Sequence, residues 1–198
     1  MFNKSFLTIL NSEDILEEMF DPKLDTNKIK KDLEGVIKIA PKLMQNMKKP
    51  QQLIETTEDY YLAFDIFSDY NYICFKELMM IDIDIKKYFI TDNFIKSNFS
   101  SYSDYCFSIY KSKNGYHVFC ISKRFNYRSK EFILFMLENL CDYYYCVFSY
   151  IRGCSVRLSK KEGETGTLYT HLGIFGNTEL IDKKLLDLVE LHYSFSLH

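Results

Sequence analysis

Two carboxylates set into an otherwise apolar run, Leu78-Met79-Met80-Ile81-Asp82-Ile83-Asp84-Ile85, limit what this chain can fold into more than any other stretch. In an extended strand the side chains alternate, so Met80, Asp82 and Asp84 share one face while Ile81, Ile83 and Ile85 point into the opposite layer. The two acids then stand about 6 to 7 Å apart on one face. Carboxylates so placed repel unless one holds a proton or a cation lies between them, and hard oxygen donors at this spacing suit Mg²⁺ or Mn²⁺. The competing reading is a half-exposed strand whose acidic face is simply solvated. The isoleucine face is too apolar for an exposed edge, so this strand is expected at the centre of its sheet, flanked by the hairpin of residues 105–122.

Periodicity places the remaining elements. Residues 12–20 read as a short helix stopped near Pro22. Ile29, Leu33, Val36, Ile37 and Ala40 keep helical spacing from Thr26 to Ala40, and Pro41 closes that run. Residues 42–52, with Lys48-Lys49-Pro50, read as a basic connector or a broken helix, and Tyr60, Tyr61, Phe64 and Phe67 line one side of a helix over residues 57–68, although their β-prone composition also allows a strand. After Asn71 the texture turns to strand: residues 72–85 form one strand or two with a break near Lys76-Glu77. A polar loop follows over residues 91–104, then a hairpin around Ser112-Lys113-Asn114-Gly115, since Asn-Gly between β-prone runs is a strong turn signal. Ser129 caps a helix reaching Tyr144, with Phe132, Ile133, Phe135, Met136 and Leu140 as its buried stripe. Residues 155–159 and 168–175 read as strands, and a last helix begins at Asn177 or Thr178. The expected class is α+β, an antiparallel or mixed sheet flanked by helices. A helical region over residues 1–70 would pack on a core of residues 71–198, the whole forming one globular domain.

Bulk properties narrow the function. A net charge of -2 over 198 residues gives no general basic footprint, so any nucleic-acid affinity must come from a local groove. The six cysteines contain no C-x-x-C pair and four lie in apolar surroundings, which disfavours zinc and a disulfide framework. The run from Phe6 to Leu10 is too short for a secretory signal, and no later run approaches membrane-spanning length. The expected setting is a reducing compartment, cytoplasmic or nuclear, without secretion or a membrane partner.

Two further stretches carry candidate chemistry. In Lys111-Ser112-Lys113-Asn114-Gly115-Tyr116-His117, the histidine lies close to the turn, where Lys111, Lys113 and backbone amides can meet a triphosphate beside the imidazole. The alternative is a hydrogen-bonded strand histidine. Farther on, Asp142 is followed by Arg152, Arg157, Lys160 and Lys161, and arginines on the polar face of Ser155-Val156-Arg157-Leu158-Ser159 suit bidentate phosphate recognition. The bland counterpart is an ordinary basic strand end.

Taken in this order, the three stretches resemble the archaeo-eukaryotic primase and primase-polymerase superfamily, with its Asp-x-Asp strand, its small-residue-x-His hairpin strand and its later acid followed by cations. The segment from Cys141 to Lys161, with the ending Leu188-Val189-Glu190-Leu191-His192, is also similar to uncharacterised viral and bacterial proteins distantly related to primases. The resemblance covers roughly residues 76 to 193. It implies a palm-like, RRM-related sheet in which Asp82, Asp84 and Asp142 hold two divalent ions, Mg²⁺ or Mn²⁺, and act as the catalytic acids. It also implies that Lys111, Lys113, His117, Arg152, Arg157 and Lys160 grip a nucleoside triphosphate while a single-stranded DNA or RNA template is copied, alone or within a larger replication assembly. A catalytically silent relative that binds nucleic acid, a nucleotide or a protein, and a metal-dependent nuclease or phosphodiesterase, are the other two readings.

Overall fold

The computed structural model describes residues 25–46, 51–65, 69–85, 90–160 and 165–196. The helix expected over residues 12–20 and the Lys48-Lys49-Pro50 cluster lie outside them. Helix α1 spans Thr26–Asn46. Asp25 caps it, its Oδ1 accepting from Asn27 N–H at 2.9 Å. Pro41 was expected to close the run, yet the helix continues for a further turn, because burial of Ala40 and packing of Leu43 on the core outweigh one missing main-chain donor. Strands β1 (Gln51–Thr56), β2 (Tyr60–Asp65) and β3 (Tyr70–Phe75) then form an antiparallel meander. The helix expected over residues 57–68 is therefore not formed where described. Aromatic and β-branched residues that fit a helical stripe equally satisfy alternation, and pairing on both edges of β2 decides between them.

Strand β4 (Met79–Asp84) carries the acidic pair, and the break before it falls at the expected place. Helix α2 (Asp92–Ser100) replaces the loop expected over residues 91–104. Thr91 caps it by accepting from Phe94 N–H at 3.2 Å, and the buried Ile95 and Phe99, four residues apart, form its inner stripe among Asn and Ser. Strands β5 (Cys106–Ser112) and β6 (Gly115–Cys120) are the expected hairpin. Helix α3 (Lys130–Glu138) starts at the Ser129 cap, but the single helix expected to Tyr144 is split. Leu140 takes the left-handed region at φ 62° and Asp142 opens a new helix, α4 (Tyr143–Arg152). Strand β7 (Cys154–Arg157), strand β8 (Tyr169–Gly176), a 3-10 turn over Thr178–Leu180 and helix α5 (Lys183–Ser196) complete the chain.

The class is α+β. Among the described residues, eight strands form two antiparallel sheets, ordered β1-β2-β3-β7 and β4-β6-β5-β8. On the second sheet, Ile81, Ile83, Val118 and Phe107 face α2 and α3, with the Phe99 and Phe107 rings 4.8 Å apart. The opposite face, which carries Asp82 and His117, is covered in its further half by α5, whose His192 ring lies 5.3 Å from Phe119. One continuous core runs through both sheets. Among the described residues no helix is long and apolar enough to cross a membrane.

Strand β4 is not central, as its apolar face had implied, but ends its ladder. Its outer edge is nonetheless covered, by β7 and the α3–α4 connection. The Cys154 thiol accepts from Met80 N–H at 3.1 Å, Cys141 Sγ accepts from Asp82 N–H at 3.4 Å, and Asp142 N–H donates to the Asp82 carbonyl at 2.8 Å. These partners satisfy main-chain groups that a ladder edge would otherwise bury unpaired.

Candidate active site

The pairing of β4 with β6 sets the centre of the site. His117 stands directly across from Asp82, and Gly115 across from Asp84. Gly115 is required by proximity, since a Cβ there would lie 1.8 Å from the Ile83 carbonyl oxygen. The spacing Gly-x-His thus lets β6 press against the acidic strand while its histidine lands beside the first acid. His117 Nε2 lies 3.6 Å from Asp82 Oδ1.

Asp142 reaches the same place from α4. Its Oδ1 accepts from Tyr145 N–H at 3.0 Å as the helix N-cap, and its own amide is tied to Asp82. Asp82, Asp84, Asp142 and His117 all border one cleft of about 990 Å³, together with Arg157 and Lys160.

Electrostatics distinguish the members. Withdrawal from water, then the charges of Asp142 and Asp84, push the Asp82 carboxyl up to about 7. Although its side chain keeps 36% exposure to the cleft, it sits deep enough below the protein surface for desolvation to dominate. Burial, reinforced by the Arg157 guanidinium, drives His117 down to about 4. The imidazole is therefore neutral near neutrality and offers one N–H and one lone pair. The Tyr169 ring packs 4.9 Å from it, and Tyr169 O–H donates to the Arg157 carbonyl at 2.9 Å. Tyr169, Tyr145 and Tyr70 line the cleft without any sequence signal of their own; only the folded neighbourhood singles them out.

The expected phosphate-side cations divide. Arg157 and Lys160 border the cleft, as does Lys113 from the exposed hairpin turn. Lys111 reaches only the rim. It alternates onto the face of Tyr116, and its Nζ donates to Asp92 Oδ1 at 2.7 Å, so α2 already holds it. Arg152 borders the cleft but lies between the Tyr72 and Phe148 rings, 5.2 and 5.7 Å from their centroids, with Nη2 donating to Ser155 Oγ at 3.0 Å. All six cysteines are buried and free. Among the described residues no set of three or more His, Cys, Asp and Glu side chains is drawn together closely enough to hold a metal ion.

No protein-family model, curated protein or solved structure matches the chain.

Proposed function

We propose that this protein is a primase-like nucleotidyltransferase that adds nucleotides on a nucleic-acid template with the help of Mg²⁺ or Mn²⁺. The observation that carries the reading is the meeting of three carboxylates from β4 and α4, one neutral histidine from β6 and cations from β7 and its following loop in one open cleft. Acids and cations bordering the same cleft suit a triphosphate whose inner phosphate would meet the acids through a divalent ion and whose outer phosphates would meet Arg157 and Lys160.

Asp82, Asp84 and Asp142 are hard oxygen donors of the class a divalent cation takes, although the three are not drawn together closely enough to hold one and would have to close on it. A positive ion among them would relieve the repulsion that Asp142 and Asp84 add to the desolvation of Asp82. Asp82, Asp84 and Asp142 would hold it, and when bound it would supply charge stabilisation and lower the pKa of an attacking hydroxyl. The chain itself does the positioning. Neutral His117 donates a hydrogen bond to a phosphate oxygen without the desolvation cost of a charged ring, Arg157 clamps a second phosphate, and Tyr169 fixes the imidazole plane.

A catalytically silent nucleotide- or nucleic-acid-binding module is the second reading. It is favoured by the enclosure of Arg152 between two rings and of Lys111 by Asp92, which leaves fewer cations for a triphosphate than the sequence offers. Thermal melting with Mn²⁺, together with nucleotide incorporation on a single-stranded template, separates the two. The enzyme reading expects Mn²⁺ to raise the melting temperature of the parent but not of Asp82→Asn/Asp84→Asn, and expects only the parent to extend a primer or start a strand. A parent that ignores Mn²⁺ and incorporates nothing would establish the silent module instead.

A further inference from the structure

The first sheet turns a tyrosine face outward. Ile73 and Phe75 of β3 enter the main core, so Tyr70, Tyr72 and Cys74 look the other way. The register aligns Tyr61, Cys74 and Ser155 in one row, Ala63, Tyr72 and Arg157 in the next, and Asp65 with Tyr70 in the third. Small Ala63 and Cys74 alternate with the tyrosines, leaving room for the rings to meet edge-on: Tyr61 to Tyr72 at 6.2 Å and Tyr70 to Tyr72 at 6.3 Å. Tyr72 is buried beneath, while Tyr61 and Tyr70 stay half-exposed on either side of it.

This face continues into the cleft, because Tyr70, Arg152, Ser155 and Arg157 belong to both. Arg152 is held over Tyr72, and its Nε is buried with no hydrogen-bond partner among the described residues. Rings fixed by their neighbours, with guanidinium groups along one side, form a surface on which unpaired bases stack and phosphates are neutralised. A duplex hides its base faces and cannot use it. Asp65, across from Tyr70, marks the outer limit of the favourable charge.

We infer that single-stranded nucleic acid leaves the cleft across this face, its bases stacking on Tyr70 and Tyr61 and its backbone following Arg157. The inference rests on the nucleotidyltransferase reading for what occupies the cleft, but it stands or fails on strand binding alone.

Fluorescence anisotropy of labelled thymidine and uridine oligomers, without divalent ions or nucleotides, tests it. The parent should bind single strands more tightly than a duplex of equal length. Tyr61→Leu and Tyr70→Leu should each weaken that binding by about fivefold to a hundredfold, while Tyr61→Phe and Tyr70→Phe keep it, since the ring and not the hydroxyl carries stacking. Comparison of the two oligomers assigns the strand as DNA or RNA. Should a leucine variant fail to fold, photocrosslinking of a halogenated uracil oligomer to the parent must mark Tyr61 or Tyr70. Unchanged affinity in folded leucine variants, equal loss with phenylalanine, duplex preference, or crosslinks confined elsewhere would each overturn the inference. Strand binding that persists on the tyrosines in a protein that incorporates nothing would refute the enzyme reading and leave this one intact.

Discussion

At the scale of single residues, Asp82 and His117 are neighbours with opposite acid–base behaviour. The Asp82 carboxyl is raised to about 7, so the folded protein prefers it protonated; the stability this contributes is full below the unfolded value near 3.8 and is lost as pH rises through 7. His117, lowered to about 4, and His192, lowered to about 3, act the other way, each losing stability as pH falls below the ordinary histidine value of 6.5. Asp82→Asn isolates the first effect. In metal-free buffer its melting temperature should equal the parent's near pH 4 and exceed it increasingly up to pH 7, where the gap levels off. Melting curves across that range check it, and a gap independent of pH would show that the carboxyl is not held against its charge. Asp82 and Asp84 were legible in the sequence because a strand buries one face, and acids inside an apolar run stand out against it. Tyr169 was not legible: nothing local marks a tyrosine whose role comes from resting on a histidine fifty-odd positions earlier.

At the scale of elements, the junction of α3 and α4 gives Asp142 two roles that substitution can separate. Asp142→Asn keeps an N-cap acceptor for Tyr145 N–H and should leave stability nearly unchanged, whereas Asp142→Ala removes it and should cost about 0.5–2 kcal/mol. Divalent-ion binding, read by calorimetry, should weaken in both. If only the alanine variant loses the ion, the acid serves the helix alone. The same junction explains where the sequence misled. Hydrophobic spacing over residues 129–144 runs nearly unbroken across two helices, because Leu140 continues the stripe while its backbone turns left-handed. The hairpin of β5 and β6 was readable because its turn chemistry is local. The strand identity of β2 was not, since aromatic residues at its positions fit either period and pairing partners five to fifteen residues away settle the matter. Helix α2 hid among Asn and Ser that read as loop, its two buried residues being the whole of its signal.

At the scale of the molecule, the boundary drawn near residue 70 from composition passes through a sheet. Strands β1 and β2 pair on to β3, which pairs with β7 from the other end of the chain. A chain comprising residues 71–198 would keep the acids but bare one edge of β3, and it is expected to aggregate or to lose its cooperative melt. Size-exclusion chromatography and circular dichroism decide this, and a monomer with a sharp transition would mark residues 71–198 as an independent folding unit. The covered edge of β4 has a further consequence. The sheet that bears the acids and the sheet that bears Arg157 meet through the Cys154 thiol on the Met80 main chain, the Tyr169 hydroxyl on the Arg157 carbonyl and side-chain packing, with no ladder between β4 and β7. Sulfur makes long, soft, weakly directional hydrogen bonds. Such a seam can slip by a fraction of an ångström while every rung within each sheet stays closed, so the distance from acids to cations is a tolerance of the joint and not a dimension of either sheet.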